Sequence, residues 1–229
     1  MPFLVLKLFK VSPKDLLIDN NSSNNMVILN FLSIDCSTEK GSLFVKIKNK
    51  TFNKHLQSDK STNDLLMKEI LVFFKENDIS FSDLGKVFVN QGPGNFSGLR
   101  GSLATAKGVS LSKNLDLFGF DTFIWSCSSS FNKDNFICSI IKFREKYFIK
   151  KFDKNLNTLS KIEEVSVQEI VNKYKNKFKV IPRNLIKNFD EKILTLKNLN
   201  LVSLDHNELE FLHLKGLLGK ELIKPLYLS

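Results

Sequence analysis

The stretch Gly92-Pro93-Gly94-Asn95-Phe96-Ser97-Gly98 constrains this chain more than any other. It lies between an apolar, strand-like segment, Val87-Phe88-Val89-Asn90, and a segment rich in small residues from Gly101 to Leu111. Glycines this close together permit a tight strand-to-helix turn and leave backbone amides uncovered. Asn95 or Ser97 can cap the helix that follows. Free amides at the positive end of a helix dipole form a seat for an anion. The loop is neither of the common phosphate-binding motifs. It lacks a Gly-Lys-Ser/Thr ending, and Gly92-x-Gly94-x-x-x-Gly98 has the wrong spacing for a dinucleotide fingerprint.

With 229 residues, the chain is long enough for one large domain or two small lobes with a true core. Its 42% hydrophobic and 25% charged residues suit an ordinary globular protein. No apolar run approaches the ~20 residues that a membrane span needs. The net charge is +10 and is carried mostly by lysine, the only arginines being Arg100, Arg144 and Arg183. The lysines are spread along the chain, which fits a compositional bias better than a nucleic-acid patch. The excess is weighted towards residues 121–229, so that half is the better place for a weak RNA contact. Cys36, Cys127 and Cys138 are odd in number and have no Cys-x-x-Cys spacing, so they read as buried, reduced thiols of a cytoplasmic protein. His55, His206 and His213 form neither a His-x-x-x-His pair nor a His-Glu-x-x-His motif, which argues against a metal site.

Residues 1–25 read as an extension or a mis-assigned start, because the polar run Asp19 to Asn25 separates them from the first core segment at Met26. From there the pattern predicts β-β-β-α-β-α-β. The strands are Val27–Ile34, Ser42–Lys48, one within Thr51–Gln57, Val87–Asn90 and Leu115–Phe120. The helices run from Thr62 or Asn63 to Asn77, and through the small-residue segment after the glycine loop. Beyond Phe120 a smaller version of the same plan is expected. It has a hairpin of Phe136–Phe143 and Tyr147–Phe152, a helix over Val167–Phe178, a short strand over Lys179–Ile181 and a last helix over Glu208–Leu218.

Several of these residues also resemble a known family. The run Gly92 to Arg100, followed by Ala104-Thr105-Ala106-Lys107-Gly108, is similar to the Gly-Pro-Gly-Ser-Phe-Thr-Gly-Leu-Arg loop and Ala-Thr-Ala-Lys-Gly helix of the TsaB family, also called YeaZ. Ile34-Asp35-Cys36-Ser37-Thr38 resembles that family's opening strand, and Pro225-Leu226-Tyr227-Leu228 its Pro-x-Tyr-Leu ending. The resemblance implies an α/β chain with the duplicated RNase H-like fold of the actin, Hsp70 and sugar-kinase superfamily. It implies lobes at 26–123 and 124–229, the second one reduced.

The resemblance also implies a non-catalytic subunit that binds and activates a TsaD-like enzyme. The reaction is threonylcarbamoylation of adenosine 37 in tRNAs reading ANN codons. A TsaE-like ATPase joins the assembly, and tRNA is reached only through the complex. The chain alone can pair with itself. The partner face falls on Leu65, Leu66, Gly98, Arg100, Gly101, Ala104, Thr105 and Gly108. Glycine inside a helix costs up to about 1 kcal/mol relative to alanine, so Gly101 and Gly108 point to a close contact with another backbone. The catalytic relative TsaD carries a His-x-x-x-His metal pair that this chain lacks, and Lys60-Ser61 stands where the family often has His-Ser. No cofactor is called for, and a nucleotide at an interface is left open. The rival reading is a phosphotransferase or ATPase of the same superfold, with Asp35, Ser37, Gly92, Gly94, Asn95, Ser97 and Gly98 around a phosphate. Against it, Asp35 can equally close a turn with its own carboxylate.

Overall fold

The computed structural model describes residues 29–38, 40–56, 62–220 and 223–228. The expectations for residues 1–25, for a start at Met26, and for Val27 and Ile28 as strand lie outside them.

Near-continuous apolar runs make buried central strands, and alternating ones make edges. β1 (Phe31–Asp35) and β4 (Lys86–Asn90) are buried at every position, whereas β3 (Lys50–His55) is mostly exposed. With β2 (Ser42–Ile47) and β5 (Asp116–Phe120) they form a sheet in the order β3-β2-β1-β4-β5. β1 runs antiparallel to β2 and parallel to β4, which sets Leu32 opposite both Val45 and Val87. The second sheet contains β6 (Ile137–Phe143), β7 (Lys146–Phe152), β8 (Glu163–Val165), β9 (Phe178–Pro182) and β10 (Leu199–Val202), in the order β10-β9-β6-β7-β8.

The two sheets repeat one topology. In each, a hairpin leads to a third strand, and a helix carries the chain to a parallel strand on the far side of the first. That helix is α1 (Thr62–Glu76) in the first lobe and α4 (Val167–Lys173) in the second. The last crossover is α2 (Phe96–Lys113) in the first lobe. In the second it shrinks to a 3₁₀ turn over Arg183–Asn188 and the single turn α5 (Glu191–Leu194). This is the duplicated RNase H-like fold, with a reduced second lobe.

The layers stack through three apolar clusters. On the outer face of the first sheet, Leu66, Ile70 and Phe73 of α1 and Leu103 and Ala106 of α2 cover Leu32, Ile34, Val87 and Val89. On its inner face, Phe31, Phe44, Phe88 and Phe120 meet Ile137, Ile141, Phe148 and Phe152 of the second sheet, with α3 (Thr122–Cys127) and α6 (Glu208–Leu214) between them. The far face of the second sheet is closed by Ile170 of α4 and Ile193 of α5. Glu210 of α6 pairs with Lys46 of β2 and accepts the Leu29 amide at 3.2 Å, which ties α6 to the first sheet.

The last described residues return to the first lobe. Gly219 exchanges backbone hydrogen bonds of 2.7 and 2.9 Å with Gly119 of β5, and the Leu226 amide donates to the Gln91 carbonyl at 2.7 Å. α4 ends at Lys173 and not near 178, because the Lys179 ammonium reaches back to the Tyr174, Lys175 and Lys177 carbonyls. α6 stops at Leu214, shortly before Gly216 at φ 71°. Among the described residues no helix is long and apolar enough to cross a membrane.

Candidate functional site

The ends of β1 and β4 lie side by side, and the glycine loop rises from the second of them. Asn90, the last residue of β4, is the hub. Its amide nitrogen lies within hydrogen-bond reach of Asp35 Oδ1 (3.0 Å), Thr122 Oγ1 (3.1 Å) and Ser37 Oγ (3.2 Å), and its Oδ1 accepts the Gly92 amide at 2.8 Å. Asp35 Oδ1 also accepts the Ser37 amide at 2.9 Å, which closes an Asx turn. The Asn95 amide donates to the Ser37 carbonyl at 2.9 Å, and the Asn95 side chain caps α2 through the Ser97 amide at 3.3 Å.

This geometry bears on two expectations. The amides of Gly92, Asn95 and Ser97 are not open for an anion, since each already has an acceptor within the chain. Asp35 is buried at 6% exposure, and its Oδ1 is taken up by the Ser37 amide and the Asn90 side chain. Gly94 and Gly98 are also committed to this corner. A Cβ on Gly94 would lie 2.0 Å from the Ser37 carbonyl oxygen, and one on Gly98 2.4 Å from that of Cys36. The glycines let the loop and α2 pack directly onto the β1–β2 turn.

Above this corner a cleft of about 580 Å³ opens between the lobes. Its walls include Gly94, Phe96, Lys142, Arg144, Asn184 and Tyr227. Ser37 and Asn95 also reach it; Asp35, Gly92 and Gly98 are not among the lining residues. Among the described residues, no three His, Cys, Asp or Glu side chains are grouped closely enough to hold a metal ion.

His206 was not placed by sequence reasoning, yet the fold brings it beneath β1. Its Nδ1 and Nε2 lie 2.9 Å from Ser33 Oγ and Ser42 Oγ, and its ring stacks on Phe44 at 5.2 Å. Burial pushes its pKa down to about 4. Ser33 is fully buried and presents no nucleophile to a substrate, while Ser42 is half-buried. Burial likewise raises the thiols of Cys36, Cys127 and Cys138 to about 12, which leaves them unreactive.

The expected partner residues divide. Leu66 is 1% exposed and belongs to the core under α1, and Gly98 is buried against Cys36, so neither can meet another protein. Arg100, Ala104 and Gly108 are exposed on α2, with Gly101 and Thr105 half-buried beside them. A Cβ on Gly108 would have no neighbour within 4 Å. On the adjacent α1, Leu65, Met67, Leu71 and Val72 are exposed, and Leu111 of α2 is 84% exposed.

The comparisons with known proteins fit this architecture. The model of the family described as "TsaD: tRNA N6-adenosine threonylcarbamoyltransferase" matches residues 57–179, more than half of the chain. A tRNA threonylcarbamoyladenosine biosynthesis protein TsaB from Buchnera aphidicola subsp. Baizongia pistaciae is 32% identical over 84 residues, which cover 37% of this chain and 38% of that protein. The structure of YeaZ from Pseudomonas aeruginosa superposes with a TM-score of 0.65 at 14% identity, over 87% of this chain and all of that one. A second Pseudomonas aeruginosa structure, described as an uncharacterized protein with similarity to peptidase YEAZ, gives 0.64 at 13% identity, over 88% of this chain and all of that one. The chain belongs to the family that this model describes, and within it the resemblance lies with TsaB and YeaZ.

Proposed function

We propose that this chain is a TsaB-like, non-catalytic subunit in threonylcarbamoyladenosine formation on tRNA. It docks a TsaD-like enzyme on the outer face of α1 and α2 and biases that enzyme towards its active conformation. The enzyme then threonylcarbamoylates adenosine 37 of tRNAs that read ANN codons. A TsaE-like ATPase completes the assembly, tRNA is met through the complex, and the site of action is the cytoplasm. Without its partner the same face can close on a second copy.

The observation that carries this reading is the contrast between the two faces of α2. The inner face is filled by the chain's own core. The outer face offers small residues and an unexplained glycine at 108, beside exposed apolar residues of α1. The non-catalytic reading is supported by Asp35 Oδ1 being held in a turn and by His206 sitting between the buried Ser33 and the half-buried Ser42.

The test is co-purification with the TsaD-type protein of the same source, followed by tRNA modification with and without this chain. Stable association and a dependence of modification on the chain are expected. Steady ATP turnover by the purified chain alone, abolished by changes in the interlobe cleft, would instead make it a phosphotransferase or ATPase.

A further inference from the structure

In a chain that uses lysine for nearly all its positive charge, Arg100 is one of only three arginines. Its pose is fixed from two directions. The guanidinium carbon lies 3.8 Å from the centre of the Phe96 ring, and Nε donates to the Tyr227 hydroxyl at 2.9 Å. Tyr227 in turn stacks on Phe96 at 5.1 Å and 27°. Nε is thus engaged, and the two terminal amino groups remain, a pair suited to gripping a carboxylate in a bidentate fork. Among the described residues no carboxylate pairs with Arg100.

The surroundings indicate what would fill that fork. Arg100 sits one turn before Ala104, at the edge of the small-residue face. α2 carries Arg100, Lys107 and Lys113 and no Asp or Glu, so this surface complements an acidic one. Phe96 and Tyr227 line the interlobe cleft, and Arg100 is not among its lining residues.

We infer that Arg100 anchors an aspartate or glutamate side chain of the docked partner enzyme, and that Tyr227 of the C-terminal tail aligns it for that contact. The tail is then a working part of the docking surface. This rests on the docking of a partner at α1 and α2 proposed above. Tyr227 is a positioning residue that acts through Arg100.

The test is calorimetric binding to the TsaD-type protein of the same source, at low and high salt, with thermal unfolding measured for every variant. Arg100→Gln is expected to weaken binding about tenfold or more and to flatten its salt dependence. Arg100→Lys keeps the charge but loses the fork, and recovers only part of the affinity. Tyr227→Phe, which removes one hydroxyl and keeps the stack, is expected to weaken binding about threefold in the wild-type background and not at all on top of Arg100→Gln. Should Arg100→Gln unfold, Arg100→Lys and Tyr227→Phe still decide the matter. Unchanged binding by Arg100→Gln, or a full additive loss in the double variant, overturns the inference and leaves the docking face standing. The inference also falls if Arg100→Gln loses binding to inorganic phosphate while holding its partner normally. Failure of the wild-type chain to bind overturns the docking reading itself.

Discussion

Alanine at Gly94 or Gly98 would have to push the β1–β2 turn aside, since the new Cβ would meet the Ser37 or Cys36 carbonyl oxygen at 2.0 or 2.4 Å. Overpacking of this kind costs about 1–3 kcal/mol, which should appear as a lowered denaturation midpoint. Gly108→Ala meets nothing within 4 Å and should instead gain roughly 0.5–1 kcal/mol from helix propensity. Equal effects at the three positions in chemical denaturation would contradict this division of labour. His206 supplies a pH dependence. Burial lowers its pKa from 6.5 to about 4, so the unfolded chain binds the extra proton and the native one resists it. Its contribution is complete above pH 6.5, falls as the pH drops towards 4, and levels off below that, by up to about 3 kcal/mol in all. Denaturation midpoints between pH 7.5 and 4 should show that slope, and His206→Gln should flatten it.

At the scale of elements, α2 separates two kinds of glycine that look alike in the sequence. Gly101→Leu and Gly108→Leu raise helix propensity and add bulk to the outer face. Neither should lower the unfolding midpoint below that of the native chain, and co-purification with the partner should drop. A midpoint lowered by Gly108→Leu would mean that the outer face is covered by this chain after all. The first lobe was legible because its strands are continuous or cleanly alternating and its helices amphipathic. β8 and β10 escaped because Glu163-Glu164-Val165 and Leu199-Asn200-Leu201-Val202 are short and mixed. α3 escaped because a helix clamped between two sheets is buried all round and shows no period. The glycine loop was legible as a turn. That Gly94 and Gly98 make room for the carbonyls of Ser37 and Cys36 was not, because that contact joins segments more than fifty residues apart. Asn90 was missed as the hub for the same reason, although a polar residue ending the run Val87-Phe88-Val89 is a signal that could have pointed to it.

On the scale of the whole molecule, the two lobes share their largest apolar layer. Phe31 and Phe88 of the first sheet and Ile141 and Phe152 of the second bury one another through α3 and α6. Trp125, the only tryptophan, lies in that layer and donates to the Asp205 carbonyl at 2.8 Å. Its fluorescence should therefore change at the same denaturant concentration as far-UV circular dichroism, in a single transition. Separate midpoints would show that the lobes are independent units. On the other side of the first sheet, α1 and α2, the proposed docking face, rest on a separate cluster that includes Leu66, Ile70, Leu103 and Ala106. The most direct test of that role is the amount of threonylcarbamoyladenosine formed on tRNA by the TsaD-type enzyme of the same source. It should be high with the wild-type chain, and near the level without the chain when Gly108→Leu replaces it at equal concentration. Full modification in the absence of the chain, or undiminished modification with Gly108→Leu, would contradict the account.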